Sequence, residues 1–488
     1  MIVLSEVYRT VEGRYVDSVL LMQISREVEK MDGVQKAGAM VATPENISFF
    51  RIAGFNPPPG AGANSILLAV DAVTEPAADA AISKMLGMIE SGTSGAGRRY
   101  RLDELSSLMS DEDYPVMLIS TPGQYVREIA LGALDISANL HIFSSNVPLE
   151  QELEIKRKGR DRGLLVMGPD CGTSIIDGHG IGFANKLSPG NDVGVIGSSG
   201  TGIQELTVQL DAAGLGVSYA IGTGSNDLTP EVGGITTEQA IAMLRGKCSS
   251  IAIVCKKPDP ALQKRIVAEI QDLPSAFISL GSSESGVYGN TGVGGIIDEA
   301  VAHIARKLGR GHPLDEKAVE AASPGQSRRL LKGYFVGGSL CYQAQAILHR
   351  EGIKVYSNSP LTPEYSAGGE FRDRNVCIDT GAEEYVAGRP HPMIDPVSRN
   401  SFLVRESSRA DVRVVLFDVV LGFGSSPDPL DGLQGLEKGP VAVASICGTG
   451  QDGQGFESVR RRLEQKGVVV FRSASRAAAY AAAVMKVE

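Results

Sequence analysis

The sequence predicts an α/β protein built on open parallel sheets, with a small α+β domain ahead of them. Three observations carry that expectation. From about residue 112 onward, short apolar runs alternate with stretches of helical spacing, the pattern of repeated βα units with right-handed crossovers. Glycine is abundant, 58 of 488 residues, as many tight βα turns require. Three consecutive apolar runs also end in polar, glycine-rich turns, which a parallel sheet would gather at its carboxyl edge.

Residues 1–105 read as the small α+β domain, ferredoxin-like in arrangement. Ile2 to Tyr8, Val34 to Val41 and Ser65 to Val70 are its strands. Ser18 to Met31 and Ala77 to Ile89 are its helices, the first with Leu20, Leu21, Ile24 and Val28 on one face. Gly54 to Ala63, rich in proline and glycine, is a loop, and Glu90 to Arg99 is a flexible boundary. The rhythm then changes. Pro115–Ile119, Leu140–Phe143 and Leu164–Met167 are strands, separated by the helices Gln124–Asp135 and Leu149–Arg160.

A full doubly wound, flavodoxin-like unit follows. Its strands are Val193–Ile196, Val217–Ile221, Ser250–Val254 and Ala276–Leu280, and its helices Ile203–Ala213, Glu238–Arg245, Ala261–Gln271 and Ile296–Lys307. After a charged linker, Gly309 to Arg328, the same logic recurs. Gly333–Val336 runs into Gly337-Gly338-Ser339 and a helix to His349. Lys354–Tyr356, Val376–Ile378, Val412–Phe417, Val441–Ser445 and Val468–Phe471 are strands, and Gly455–Lys466 and Ser473–Met485 helices.

Composition narrows the function. Hydrophobic residues at 43% and charged residues at 21% are globular values. A net charge of −10 with no long basic run argues against a nucleic-acid surface, and no apolar run reaches membrane-spanning length. The first eight residues lack the pattern of a secretory leader. The six cysteines are scattered, with no Cys-x-x-Cys, which predicts a reducing, cytoplasmic setting. The six histidines form no His-x-x-x-His pair, so no metal site is expected. The expected ligand is a small anionic substrate.

The stretch with most chemistry is Val193 to Leu206. A buried strand ends at Gly197, and Ser198, Ser199, Gly200, Thr201 and Gly202 lead into a helix. The first N–H groups of a helix have no internal acceptor, and with the helix dipole they favour an anion. Gly200 and Gly202 allow close approach, and the three hydroxyls add donors. The neighbouring turns are Asp170-Cys171-Gly172-Thr173 and Gly222-Thr223-Gly224. Asp177 and His179 sit in a further glycine-rich loop, and Gly448 to Asp452 could close a second polar rim.

Gly168-Pro169-Asp170-Cys171-Gly172-Thr173, Ser199-Gly200-Thr201-Gly202 and Gly222-Thr223-Gly224 resemble the alpha subunit of succinyl-CoA synthetase. There the corresponding segments carry coenzyme A contacts and a phosphate site at a helix N-terminus. Gly388-Arg389-Pro390-His391-Pro392-Met393-Ile394-Asp395-Pro396 and Asp418-Val419-Val420-Leu421-Gly422-Phe423-Gly424 extend the resemblance, over nearly the full length, to the FdrA family. The resemblance implies a Rossmann-like, CoA-binding-type domain over 106–190, followed by two flavodoxin-like domains of succinyl-CoA-synthetase type over 191–325 and 326–488. It implies a subunit of a catabolic carbamoyltransferase of the oxamate carbamoyltransferase type, which turns N-carbamoyl-oxamate (oxalurate) and phosphate into oxamate and carbamoyl phosphate. An acyl-CoA synthetase or succinate–CoA ligase-like subunit, or a non-catalytic anion-binding scaffold, are the alternatives. Partner subunits encoded nearby and a homo- or hetero-oligomer follow from it.

Two departures shape the chemistry. The synthetases phosphorylate a histidine within Gly-His-Ala-Gly, whereas this chain has Gly289-Asn290-Thr291-Gly292. An asparagine amide hydrogen-bonds but cannot accept a phosphoryl group as that nucleophile does. Residues 1–105 also lack the opening glycine-rich turn that coenzyme A requires, and no nucleotide-grasping domain is present. Phosphate is therefore the expected co-substrate, held by Ser198 to Gly202 with Gly222, Thr223 and Gly224. Ser199, Thr201 and Asn290 are the expected catalytic residues, Asn290 orienting the amide. Asp170, Cys171, Gly172 and Thr173 would contact the substrate. His391, Asp395 and either Arg389 or Arg399 would meet its carboxylate, for which a guanidinium is suited.

Overall fold

The computed structural model describes residues 5–12, 16, 18–52, 54–58, 65–93, 115–311, 328–368, 371–386 and 390–487. The chain divides into two compact units. One comprises Met1–Arg101 with Glu383–His391, the other Leu102–Ala382 with Pro392–Glu488. Among the described residues no helix is long and apolar enough to cross a membrane.

The first unit is an antiparallel sheet of β1 (Ser5–Val11), β2 (Val34–Val41) and β3 (Ile66–Ala72) in the order β1-β3-β2. Alternation sends Leu68, Val70 and Ala72 to one face, under the helices Ser18–Glu29 and Glu75–Thr93. Leu67 and Ala69 go to the other, where Phe50 and Phe55 meet edge-on at 5.3 Å. Phe50 comes from a further helix, Pro44–Ile52, beyond the two expected from the sequence.

The second unit holds three sheets, and its parallel strands bear out the α/β class. The first is parallel, β4 (Val116–Ile119), β5 (Asn139–Ile142) and β6 (Val166–Met167). The second begins with a hairpin, β7 (Thr173–Ile176) and β8 (His179–Gly182). It continues with β9 (Val193–Gly197), β10 (Tyr219–Gly222), β11 (Ser250–Lys256), β12 (Ser275–Leu280), β13 (Gly286–Tyr288) and β14 (Thr291–Gly294). The third contains β15 (Leu330–Phe335), β16 (Val376–Asp379), β17 (Val412–Val420), β18 (Val441–Cys447) and β19 (Val469–Phe471).

The strand order places the site. The second sheet runs β13-β14-β12-β11-β9-β10-β7-β8, and its parallel centre is the 2-1-3-4-5 order of a flavodoxin-like sheet. The third, β16-β15-β17-β18-β19, has the same order, all parallel. Each reverses direction beside its first strand, β9 or β15, and a crevice opens at the carboxyl end of such a switch point. The central strands are buried on both faces, as their near-continuous apolar runs require.

Candidate anion cleft

The carboxyl end of β9 turns through Ser198 and Ser199 into the helix Gly200–Ala212. Ser199 is extended, and its Oγ accepts from Gly202 N at 3.4 Å, while Ser198 N donates to Val254 O at 3.1 Å. The amides of Gly200 and Thr201, the first two of the helix, have no intrahelical acceptor. A Cβ on Gly200 would stand 3.2 Å from Thr173 Oγ1, beside Gly172, so those two residues wall the turn.

The switch point of the third sheet repeats the construction. β15 runs through Val336 and Gly337 into the helix Gly338–Arg350. Asp418, from β17, accepts Val336 N at 2.7 Å and Gly337 N at 2.8 Å. Arg399 braces Asp418 from beneath, 3.2 Å from its carboxylate and 2.6 Å from its carbonyl. Burial pushes the Asp418 carboxyl up to about 6 and the Arg399 guanidinium down to about 10, against their mutual attraction.

The first turns of these two helices touch. Ser199 Oγ and Ser339 Oγ share a hydrogen bond, and Ser339 N donates to Thr201 Oγ1 at 3.3 Å. Two positive helix poles thus meet in one cleft, each worth about half a unit charge. Lys256, the last residue of β11, enters the same place. A Cβ on Gly338 would lie 3.2 Å from Lys256 Nζ and 2.5 Å from Asp379 Oδ2, so glycine lets both side chains close over the helix end. Asp170 joins from the neighbouring edge. Its side chain has a face open to solvent, yet crowding by protein desolvates the carboxyl and raises its pKa, opposed by a Ser225 hydrogen bond and the Lys256 charge. Beside Thr173, Phe143 and Phe183 pack at 5.8 Å, and Phe423 is 58% exposed.

The cleft therefore assembles Ser198, Ser199, Gly200, Thr201, Gly202, Asp170, Gly172 and Thr173, all expected at the site from the sequence, with Lys256, Gly338, Ser339 and Asp379, which were not expected there. The second helix start had a legible signal, since Gly337-Gly338-Ser339 repeats the strand–glycine turn–helix grammar of Gly197 to Thr201.

Other expected site residues lie elsewhere. Gly222, Thr223 and Gly224 are buried against the Gly168–Thr173 turn. A Cβ on Gly222 would meet Cys171 Sγ at 2.3 Å, and one on Gly224 would meet Pro169 O at 2.3 Å, so these glycines serve close packing against that turn. Cys171 is buried against His141 Nδ1 at 3.8 Å, Ser174 and Gly222 O. Desolvation pushes its thiol up to about 11 and holds the His141 imidazole down to about 4, so the two form a neutral, unactivated pair.

Asn290 directly precedes β14, at the amino edge of the sheet. Its amide donates to Asp272 O and accepts from Lys307 Nζ, each at 3.1 Å. Because β9 and β14 run parallel, the five residues of β9 separate it from the cleft by about 16 Å, and it cannot orient a substrate there. Arg399 is committed to Asp418 rather than to a substrate carboxylate, and Asp395 Oδ1 accepts Val397 N at 3.2 Å, just ahead of the helix Val397–Ser407. His391 falls in the first unit, where burial holds its imidazole down to about 4, and Arg389 lies outside the described residues. Asp177 and His179 belong to the β7–β8 hairpin turn, and Asp452 binds Asn185 Nδ2 at 2.9 Å and Lys186 N at 2.8 Å as a clasp between sheets.

Comparison with known proteins adds the following. The family described as CoA-ligase matches residues 334–484, and the family described as AllF, heavy metal-associated domain, matches residues 5–101. The Escherichia coli K12 protein YahF is 30% identical over 508 residues, covering 94% of this chain and 95% of YahF. Succinate–CoA ligase [ADP-forming] subunit alpha 2 of Archaeoglobus fulgidus is 25% identical over 128 residues, which span 25% of this chain and 44% of that subunit. The solved structure of the dinucleotide-forming acetyl-coenzyme A synthetase 1 of Ca. Korarchaeum cryptofilum (apo form) aligns at a TM-score of 0.32 and 14% identity, covering 77% of this chain and 84% of that one. The heavy-metal description does not fit the residues present. Residues 5–101 contain no cysteine and no histidine, so the thiolate and imidazole donors of soft-metal sites are missing from them.

Proposed function

The chain belongs to the same family as Escherichia coli YahF, and from that premise we propose that it is an acyl-CoA-ligase-type subunit working at the acyl-phosphate stage. It holds inorganic phosphate in the cleft where the two helices meet, and the phosphate displaces the leaving group of a carbonyl donor. The single observation that carries this reading is the contact of the helix N-termini at Ser199, Thr201 and Ser339. The CoA-ligase match, which includes the second helix, supports the ligase-type assignment.

The chemistry balances without a phosphoryl carrier. A phosphate oxygen attacks the donor carbonyl carbon. The carbonyl oxygen gains negative charge and faces the amides of Gly200 and Thr201. The bond to the leaving group then breaks, releasing a thiol or an amide, which takes the proton that phosphate loses, and an acyl phosphate. Fixed dipoles and positioning supply most of the rate. Thr173 and the Phe143–Phe183 pair border the donor's side.

A second donor class has its own support. The segment Gly289–Gly292, which resembles the phosphorylated one of the synthetases, holds no histidine, so an acyl phosphate formed in the cleft would find no phosphoryl acceptor there and would leave as a free product. That outcome is shared with the carbamoyltransferase reaction of oxalurate-like N-carbamoyl acids. The test incubates the full chain, alone and with the products of neighbouring genes, with phosphate and either acyl-CoA thioesters or N-carbamoyl acids, and traps acyl phosphate with hydroxylamine. The S199A/T201A double variant is expected to cut the rate about tenfold or more, about 1.4 kcal/mol. Thioester donors alone reacting identifies the ligase-type donor, and N-carbamoyl acids alone the carbamoyl donor. Phosphate binding with no acyl phosphate from any donor overturns the enzyme reading in favour of a scaffold.

A further inference from the structure

We infer that the chain carries a second ligand site, between the β13–β14 hairpin and the helix Ile297–Lys307, and that it takes a small aliphatic α-amino acid. Two strands, β12 and β11, separate this place from β9 and the cleft, and the inference does not depend on the reaction assigned there.

The hairpin makes the room. Val287 pairs with Gly292, and alternation puts both, with Gly294, on the face that the helix covers. Glycine at two of these three positions leaves a gap where side chains would otherwise pack. A Cβ on Gly294 would meet nothing nearer than Glu299 Oε2, at 3.8 Å, and one on Gly292 would lie 2.8 Å from the His303 ring. The gap is a cavity of about 190 Å³, with Val287 and Ala300 among its apolar walls.

The helix supplies the polar groups. Glu299, His303 and Arg306 follow one another at i, i+4 and i+7, so they share one face, and all three line the cavity. His303 is only 9% exposed, and its Nε2 lies 2.9 Å from Asn290 O. A carbonyl oxygen can only accept, so Nε2 carries the proton and Nδ1 of the neutral ring is an acceptor. Among the described residues no donor reaches that Nδ1, and a buried acceptor left unpaired is costly, so the site calls for a ligand N–H. Glu299 meets Arg350 through Oε1, at 3.3 Å, while its Oε2 is the atom beside Gly294. Arg306 donates Nε to Ala302 O at 3.2 Å, and its two terminal nitrogens have no acceptor among the described residues.

A carboxylate at one end, an uncharged acceptor between and a guanidinium at the other end form the complement of a zwitterion. A ligand ammonium would bind Glu299 Oε2 and His303 Nδ1. Its carboxylate would take the fork of Arg306, which suits planar, two-point recognition. A short aliphatic side chain would cover Val287, which is otherwise 63% exposed. The cavity is too small for much more than that.

The test uses the full chain and L-valine as the probe. Isovalerate and isobutylamine, which each keep one of its two charges, are compared with it by calorimetry and by the ligand-induced rise in melting temperature. L-valine is expected to bind with a dissociation constant below about 1 mM, and each single-charge analogue about tenfold more weakly or worse. Arg306→Gln and Glu299→Gln alter exposed side chains and should each weaken L-valine by about tenfold, with the exposed control Lys264→Met leaving it unchanged. Gly294→Val, at a strand position whose φ lies outside the left-handed region, should fill the cavity and abolish binding while the chain still melts cooperatively. If that variant does not fold, the two glutamine variants decide. No binding of L-valine by the wild-type chain up to about 10 mM overturns the inference. So does wild-type affinity in Arg306→Gln and Glu299→Gln, or isovalerate binding as tightly as L-valine.

Discussion

Gly200 shows how much a single residue controls here. It is the first residue of its helix, and the space a side chain would enter is bounded by Thr173 Oγ1 and Gly172. Gly200→Val would push a branched side chain into the place an anion needs, while leaving β9 and the helix packing below it intact. The variant is expected to fold and to lose the phosphate-induced rise in melting temperature; a rise equal to wild type would put the anion elsewhere. The residue scale also shows what a sequence cannot display. Cys171 in a polar turn reads as reactive, but reactivity needs a stabilised thiolate, and burial against neutral partners works the other way. Arg399 reads as a carboxylate receptor and does bind a carboxylate, that of Asp418, 19 positions along the chain. Type and partner class were legible; whether the partner was internal was not.

At the scale of elements, the long apolar strands and the helices after them were readable because burial on both faces leaves a continuous signature. The two hairpins were not. β7 and β8 are joined by Asp177-Gly178, at φ +49 and +77, and the pair Asp-Gly between two short runs is a hairpin signal that Gly-rich surroundings obscured. A buried charge cluster was equally invisible. Lys156 Nζ lies 2.7 Å from Asp227, 3.1 Å from Glu152 and 2.9 Å from Thr223 O, all fully buried. Asp227 in turn accepts Thr236 N at 3.1 Å and Thr237 N at 2.9 Å, holding the start of the Ile235–Arg245 helix. In the sequence, Glu152 and Lys156 look like a solvated helix face. Lys156→Met would leave two carboxylates buried without their cation, at a cost of about 3–5 kcal/mol. Urea unfolding measures it, and a loss below about 1 kcal/mol would mean that the cluster is not what anchors this helix.

Across the whole molecule, the two flavodoxin-like sheets of the second unit are joined by polar contacts as well as by apolar packing. Asn185 reaches Asp452, Gln343 accepts Ile297 N at 3.2 Å, and Asp298 accepts Ser473 Oγ at 2.9 Å. Such pairings join residues 46 to 267 positions apart, and nothing in either local sequence announces them. Glu205 is the most consequential. It lies one turn below Thr201 on the cleft helix, and its Oε1 accepts Ala474 N at 3.0 Å, at the start of the last helix, and Gln209 Nε2 at 2.8 Å. Desolvation raises its carboxyl from an ordinary 4.5 to about 8, with the nearby charge of Asp298 adding to the rise and the Ala474 and Gln209 hydrogen bonds opposing it. At neutral pH the side chain is therefore protonated in the folded chain and ionised in the unfolded one. A folded state that binds the extra proton is favoured fully below pH 4.5, and this advantage is lost as pH rises to about 8. The expected outcome is a stability that declines across that window by on the order of a few kcal/mol, read from urea midpoints of the full chain. Glu205→Gln, a neutral side chain of the same shape, should match wild type near pH 5, remove that part of the slope and exceed wild type at pH 8 and above. Parallel pH profiles for the two proteins would show that Glu205 is ionised in the fold. The junction between the sheets would then hold a charge where burial calls for a proton.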